Sequence, residues 1–400
     1  MTAALGLYIH IPFCESKCDY CNFASGVYPE AMVLPYLKAL KKEILGTKTL
    51  LKGLGIDSQV LSCQIDTIYL GGGTPSLIDG QHVKSVLSLT SEVFTLAPET
   101  EITLEVNPGS VNPAKVEKHL EAGVNRISIG MQTFQDRLLK RIGRSHSVAD
   151  SFSTLKLYRE MGMSNVSLDL IAGLPGQTIE DWQENLRTVE ELSPDHISMY
   201  MLEIHENTRF GKLYCNLESS SDPWMSAAQA ELPDEDMVEQ FYMQAIRHFE
   251  RAGYHQYEIS NFARPGRESK HNLKYWTDQP FLGFGCGAHS YLNGTRWGNE
   301  RSVGRYIDLI ERDHHAIAFR SHLSPLERQE EAVFLGMRLT QGISLKQFES
   351  RFGFNLQGRF KQQIAYLEDA GLVESTSSHL RLTPRGWMLS NEVFVELLQS

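Results

Sequence analysis

No apolar run in the chain approaches the roughly 18 residues that suggest a membrane span, so no intrinsic membrane anchor is expected. Positive charge is not in excess. Lys and Arg total 38 against 49 Asp and Glu, a formal net charge of −11. That argues against a chain whose main partner is a phosphate backbone, since such proteins carry a basic face or stripe; no nucleic-acid partner is expected. Only four residues precede Leu5, too few for a signal or transit peptide, which points to a cytoplasmic protein. Cysteine is scarce, six residues in 400. In a reducing compartment disulfides are rare, and clustered cysteines bind metal or do redox chemistry. Three of the six, Cys14, Cys18 and Cys21, fall within eight residues. The others, Cys63, Cys215 and Cys286, are scattered and read as ordinary buried thiols.

What is present is a rhythm. Short apolar runs at Leu5 to Phe13, Ile65 to Leu70, Glu101 to Val106, Arg126 to Met131, Asn165 to Ile171 and His196 to Glu203 read as strands. Amphipathic stretches lie between them, at Pro35 to Leu45, Gln81 to Phe94, Val148 to Met161 and Ile179 to Leu192. Thr178, with Asp181 three residues on, reads as a capping box. Six β–α units in a row imply an α/β fold with a parallel sheet, more in keeping with a partial barrel than with an open two-sided sheet. Residues 1–255 are assigned to this barrel. Residues 215–233, rich in Ser, Asp and Pro, read as a long loop before a helix at Asp234 to Ala252. Residues 256–322 form a connecting region. Its stretch 260–305 is rich in Gly, Asn, His and aromatics with little periodicity, and reads as loop-rich, a site or a cap rather than core.

Residues 323–400 change character. Ser324 to Leu339, a short segment opened by Ser344 and Gln347, and Asn355 to Ala370 read as three helices. Gly371 closes the third, and two short strands, LVES and LRLT, follow. Three helices and a small hairpin suggest a winged-helix-like module. DNA recognition is one reading of it. A docking or structural module suits the acidic balance better, because the basic residues Arg351, Arg359 and Lys361 are interspersed with acids.

The cysteine spacing, CxxxCxxC, carries the chemistry. A closed structural zinc site needs four ligands, and no His follows at zinc-finger spacing. A [4Fe–4S] cluster on three thiolates leaves one iron open to something else. With Tyr20 just before the last Cys, the stretch resembles the signature of radical S-adenosylmethionine (SAM) proteins. There the open iron chelates SAM, and one electron from the cluster cleaves the sulfonium to a 5′-deoxyadenosyl radical. Zinc, or a cluster that only carries electrons, remains the plainer alternative. The cysteines follow the first strand, as expected of a site at the C-terminal ends of barrel strands. The second strand ends in GGGTPS, where glycines let the backbone approach a small polar ligand. Glu105 in LEVNP, at the end of the third strand, could accept bonds from ribose hydroxyls. Gln132, Arg144 and Asp169 fall near the same rim. Each alone is more often structural than functional.

With GGGTP, EVNP, GMQTF and LDLIAGLPGQT in this order, the chain resembles the oxygen-independent coproporphyrinogen III oxidase family of radical SAM proteins over nearly its full length. The resemblance implies a radical SAM partial (β/α)6, TIM-like barrel with the small helical C-terminal domain of that family. It implies that Cys14, Cys18 and Cys21 hold a [4Fe–4S] cluster, and that Tyr8, Gly72, Gly73, Thr74 and Glu105 contact SAM. Tyr20, Gln132, Arg144 and Asp169 match positions that, in the oxidases, line the site near a second SAM. The oxidases resemble CxxxCxxCxC and have a longer arm before the cysteines. This chain has Phe23 in place of the fourth Cys, and thirteen residues before Cys14, which speaks against coproporphyrinogen decarboxylation.

HNLKYW, residues 271–276, resembles the HNxxYW pattern of the HemW branch of haem chaperones, where it is associated with haem binding. That makes His271, Asn272, Tyr275 and Trp276 haem-binding candidates. A His imidazole is a common axial ligand, and the two aromatics offer flat apolar area. The plainer reading has His271 in a structural hydrogen bond. His289 and Cys286 read as structural. The resemblance implies haem as ligand, haem-acceptor proteins such as respiratory proteins as partners, and leaves a cluster- or haem-linked homodimer open. The competing function is the oxidase itself.

Overall fold

The computed structural model describes residues 4–214 and 231–398. The loop expected over 215–233 therefore falls, up to residue 230, outside the described residues, as does Cys215. No described helix is long and apolar enough to cross a membrane.

All six expected strands form: β1 (Leu5–Ile11), β2 (Ile65–Gly72), β3 (Leu96–Val106), β4 (Arg126–Gln132), β5 (Val166–Ala172) and β6 (His196–Met201). They pair in parallel, each with the next, from β1 through β6. Each alternates. Ile127, Ile129 and Met131 of β4, like Leu168 and Leu170 of β5, pack into the core shared with the covering helices. Intervening residues such as Arg126, Ser128, Ser167 and Asp169 face the opposite side and are polar. Register aligns them in tiers, Tyr8–Tyr69–Thr103–Arg126 and, one step higher, Glu105–Ser128–Ser167–His196. A period of two puts alternate residues on opposite faces, so the sheet has an apolar outer face and a polar inner one. The helix Ile179–Leu192 starts with the expected capping box of Thr178 and Asp181.

The connecting stretch 256–322 is not loop-rich. It supplies β8 (Asn261–Ala263), which with β7 (His255–Glu258) extends the sheet beyond β6. It also supplies β9 (Phe281–Phe284), β10 (His289–Leu292), β11 (Thr295–Asn299) and β12 (Ile317–His322), which extend it beyond β1. β9 runs parallel to β1; β10 to β12 form an antiparallel meander. Phe262, Leu282, Trp297 and Tyr306 join the barrel core. Two of the glycines that suggested loops, Gly283 and Gly298, are strand residues in close contact. A Cβ on Gly298 would lie 2.3 Å from the Phe319 ring.

The C-terminal region has a core of its own, including Val333, Phe348, Phe360, Leu380 and Phe394. Helices Pro325–Gly336 and Leu345–Phe352 match expectation, the second capped by Ser344. The third breaks at Phe360 into Leu356–Arg359 and Lys361–Asp369, because that residue leaves helical backbone geometry while its ring is buried. β13 (Ile343–Ser344), β14 (Val373–Ser375) and β15 (His379–Leu382) form a small sheet in the order β13–β15–β14. Two further helices, Pro384–Met388 and Ser390–Leu398, follow. Trp387 packs against both cores and fixes the module on the barrel.

One buried acid ties the added strands to the first helix, Val33–Gly53. Glu43 accepts from Tyr306 Oη at 2.6 Å, Asn299 Nδ2 at 2.6 Å and the Gly285 amide at 2.8 Å. Removing the acceptor strands three buried donors, each costing about 1–3 kcal/mol. We therefore expect Glu43→Ala to lower unfolding free energy by about 3 kcal/mol or more in a denaturant titration. A loss under about 1 kcal/mol would show that water or repacking satisfies those donors.

Candidate functional site

The cysteine loop leaves β1 and folds back on it. The Gly26 amide donates to Pro12 O, and the Cys14 amide donates to Gly26 O, both at 2.9 Å. His10, buried beneath, donates from Nε2 to Ala24 O at 2.9 Å. A carbonyl only accepts, so Nδ1 is the acceptor for Tyr8 Oη at 3.0 Å. Burial pushes the His10 imidazole down to about 4, which keeps it neutral in this role. Arg301 Nη2 holds the far side of the loop through Asn22 O at 2.8 Å.

Two cations face the sulfurs. Lys17 Nζ lies 3.5 Å from Cys21 Sγ while donating to Ser25 O and Phe23 O. Arg144 Nη1 lies 3.6 Å from Cys18 Sγ, and its Nη2 donates to Gly130 O at 2.7 Å and to Asn107 Oδ1. Burial pushes the Cys14 thiol up, and hydrogen bonds from Ser25 and Thr74 pull it back. All three thiols are free and line one cavity of about 1000 Å³. Among the described residues, no three His, Cys, Asp or Glu side chains converge as ligands of a single ion. Three thiols on one wall, with two cations to offset anionic charge, fit a cluster whose open position faces the cavity better than a mononuclear site.

The neighbouring rim is built by GGGTP. A Cβ on Gly71 would lie 2.9 Å from the Glu105 carboxyl; on Gly72, 2.2 Å from the His10 ring; on Gly73, 2.7 Å from Ile11 O. Each glycine thus has a different neighbour to clear. Glu105 accepts from Tyr69 Oη at 3.0 Å and from the Gly72 amide at 2.9 Å. Burial, and then the charge of Asp169, push the Glu105 carboxyl up to about 7. Asp169, raised by burial, accepts from Ser128 Oγ at 2.9 Å. Gln132 holds a left-handed φ of 66° at the end of β4, a strained state for a non-glycine residue that tends to cluster at functional sites.

Tyr20, Gly72, Gly73, Thr74, Glu105, Gln132, Arg144 and Asp169 all line the cavity with the cysteines. Tyr8 is not among its lining residues; its hydroxyl is turned to His10. The residues that sequence reasoning passed over are Lys17, His10, Tyr69 and Asn107. Strand alternation could have found Tyr69, which shares the inward face of IDTIYLGG with Gly71.

HNLKYW is a helix, Lys270–Trp276, capped by Ser269, and not the loop-like segment expected. It closes the N-terminal end of the barrel. Lys274 Nζ contacts Asp66 Oδ1 at 2.7 Å and Ala4 O at 2.9 Å. The His271 amide donates to Glu101 Oε1 at 3.3 Å. His271 itself is 1% exposed, with Thr67 Oγ1 2.9 Å from Nδ1 and Tyr275 Oη 2.9 Å from Nε2. Burial, then the charge of Lys274, push its imidazole down to about 3. The Arg338 guanidinium sits 4.7 Å over the Trp276 ring. None of His271, Asn272, Tyr275 or Trp276 lines the mouth cavity. Thr67 and Gly72, five residues apart on one strand, are separated by about 16 Å, so the motif and the cysteines occupy opposite ends of the barrel. Cys286 is fully buried, its thiol pushed up to about 12 by burial. His289 packs against Phe319.

The raised Glu105 carboxyl has a consequence for stability. Its folded value of about 7 exceeds the ordinary 4.5, so the protonated acid is favoured in the fold. Stability is full below pH 4.5 and is lost as pH rises through about 7, by about 3 kcal/mol. Glu105→Gln lacks this linkage. We expect its stability relative to wild type to improve by about that amount between pH 4.5 and about pH 8, read by urea titrations at each pH; a pH-independent difference would show that Glu105 ionises normally.

Comparison with known proteins places these features. Residues 8–189 match the radical SAM superfamily model, and residues 323–389 match the HemN C-terminal domain model. A protein of Bacillus subtilis named heme chaperone HemW is 37% identical over 97% of both chains. Its namesake in Lactococcus lactis is 32% identical, covering 98% of this chain and 96% of that one. The Escherichia coli namesake is 39% identical over 71% of this chain and 69% of that one. Among solved structures, the radical SAM coproporphyrinogen III oxidase HemN of Escherichia coli superposes with a TM-score of 0.81, covering 99% of this chain and 90% of that one at 23% identity, a likeness of fold. With its radical SAM barrel, its HemN-type C-terminal domain and relatives matched end to end, the chain belongs to the HemW family of radical SAM proteins.

Proposed function

We propose that this protein is a cytoplasmic haem chaperone. It binds haem, keeps a SAM-coordinating [4Fe–4S] cluster, and hands haem to acceptor proteins such as those of respiration. The observation that carries this reading is its end-to-end likeness to proteins named heme chaperones. Phe23 supports it. At the position where the oxidases have a fourth cysteine stands an apolar side chain, 65% exposed at the rim of the cavity.

In this reading Cys14, Cys18 and Cys21 hold the cluster, which supplies one electron to bound SAM. The backbone of Gly72, Gly73 and Thr74 leaves room for the ligand. Glu105, already positioned by Tyr69 and Gly72, takes up ribose hydroxyls. Lys17 and Arg144 offset the negative charge of the cluster. Tyr20, Gln132 and Asp169 complete the wall, and Tyr8 acts at one remove through His10 on the cysteine loop. Haem is ligated by His271, with Tyr275 and Trp276 as its apolar neighbours and Asn272 on the same helix. Because both ring nitrogens of His271 are engaged, ligation begins with release of Tyr275 or Thr67. A homodimer joined at cluster or haem is compatible with this scheme.

The test uses the full chain with its cluster reconstituted anaerobically, incubated with reductant, SAM and coproporphyrinogen III. Mass spectrometry reads 5′-deoxyadenosine and decarboxylated porphyrinogen in one run, and a haem titration followed by transfer to an apo-haem protein reads the carrier function. We expect saturable haem binding, transfer, and no decarboxylated product. Decarboxylation would make the protein an oxidase, and an absence of saturable haem binding would remove the chaperone reading.

A further inference from the structure

Arg126 is among the largest fully buried side chains, 1% exposed, and it forms no salt bridge among the described residues. Its Nη1 reaches Thr103 Oγ1 at 3.5 Å, and its Nε has no hydrogen-bond partner. A cation taken out of water without an anion beside it is costly. Its surroundings inside the barrel offer little in return. His196 and His271 are imidazoles that burial keeps neutral. Tyr257 is a phenol that burial keeps protonated. Glu101, on the same face of β3 as Thr103, is engaged by the Lys270 and His271 amides.

Register places this cation under the cavity. Arg126 pairs with Thr103; two residues on, Glu105 pairs with Ser128. Ser128 Oγ in turn donates to Asp169 Oδ1 at 2.9 Å. Glu105 and Asp169, both lining the cavity, therefore stand one pleat repeat, about 7 Å, above the level of Arg126.

We propose that Arg126 is a positioning residue for the SAM site: its guanidinium is the counter-charge beneath Glu105 and Asp169 that allows both carboxyls to be ionised in the loaded cavity. The inference rests on the reading of Glu105 as the acceptor of ribose hydroxyls.

The physical reason is acceptor capacity. An ionised carboxylate has about four lone-pair sites, and protonation turns one of them into a donor. Tyr69 Oη already occupies Glu105 Oε1, and the Gly72 amide occupies Oε2. Two further hydroxyls are accepted in full by the ionised acid alone. Two carboxylates in one buried cavity oppose each other's ionisation, and burial, then Asp169, push Glu105 up to about 7. The other groups that feel Glu105, the phenols of Tyr8, Tyr69, Tyr200 and Tyr275, are kept protonated by burial. Arg144 favours the ionised form of Asp169; Arg126 favours that of both acids. Without Arg126, Glu105 stays protonated to higher pH, and the cavity takes a hydroxyl-bearing ligand less well below that pH.

The experiment measures SAM dissociation constants by equilibrium dialysis on the cluster-loaded full chain, at intervals from about pH 6 to about pH 9. Each value is divided by that of Glu105→Gln at the same pH, which removes the titration of SAM's own amine. We expect the relative affinity of wild type to fall as pH drops through about 7. In Arg126→Met the midpoint should move up by about one pH unit. That variant then binds SAM about 5-fold more weakly than wild type at pH 7 and equally well near pH 9. Arg126→Lys, which keeps the charge, should keep the wild-type midpoint. A ligand-free reading runs beside it. The stability difference between wild type and Glu105→Gln, from urea titrations, levels off above about pH 7; in the Arg126→Met background it should level off about one pH unit higher. A loss of SAM affinity by the same factor at every pH marks a merely structural residue and overturns the proposal, as does an unshifted midpoint. A wild-type profile parallel to that of Glu105→Gln overturns it without any Arg126 variant. Failure of the underlying reading is distinct: wild type then binds no SAM at any pH.

Discussion

A buried carboxyl at the mouth of the barrel, Glu105, sets the terms for its surroundings. A carboxylate taken from water must find donors or remain protonated. Glu105 has Tyr69 and the Gly72 amide, and still sits near neutrality. Gly71 leaves space for the acid, Gly72 supplies the amide at a left-handed φ of 107°, and Gly73 seals the rim against the cysteine loop. Opposite stands Asp169, whose charge raises Glu105 further. Arg126, buried one tier below, lowers both acids. A ligand that brings hydroxyl donors to Glu105 relieves a strain that the protein alone does not.

The cysteine loop answers a second constraint. In a chain of net charge −11, Lys17 and Arg144 set two cations beside the cysteine sulfurs, at Cys21 and Cys18. Lys17 belongs to the loop and also ties down Phe23 and Ser25. Arg144 belongs to the rim beyond β4 and fixes Asn107 and Gly130 with the same guanidinium. The loop is therefore registered against the tops of β1, β3 and β4 at once, which is what a cofactor shared between cysteines and barrel rim demands. That Tyr8 falls outside the cavity follows from the same logic, because its hydroxyl serves the loop through His10.

Much of this was legible in the sequence where periodicity was strong. The six parallel strands announce themselves by apolar runs, and the Thr178–Asp181 box marks its helix start. The cysteine spacing and GGGTP identify the rim. The edges of the sheet were not legible. β7 to β12 are three to six residues long, and their glycines and aromatics, chosen for tight cross-strand contact, give no period and look like loop. The helix broken at Phe360 misleads in the other direction, since its sequence runs on while the backbone turns to bury one ring. HNLKYW is the instructive failure. Ser269 as a cap, with His271, Lys274 and Tyr275 at i, i+3 and i+4, spells one face of a short helix. The flanking glycines, Gly266 and Gly283, obscure that period.

The burial of that motif bears on what a carrier requires. Here the imidazole is bonded at both nitrogens, and its helix is pinned by Lys274 to Asp66 and by the His271 amide to Glu101. A ligand that binds only the opened form has its affinity reduced by the fraction of time that form exists. Breaking buried hydrogen bonds costs about 1–3 kcal/mol each, so a ligand that must displace one or two of them binds more weakly by factors of about five to more than a thousand. A clamp of this kind lowers the retention of any ligand of His271. Tyr69 rests on the clamped ring and bonds Glu105 above, so one strand carries contacts both to the buried motif and to the mouth of the barrel.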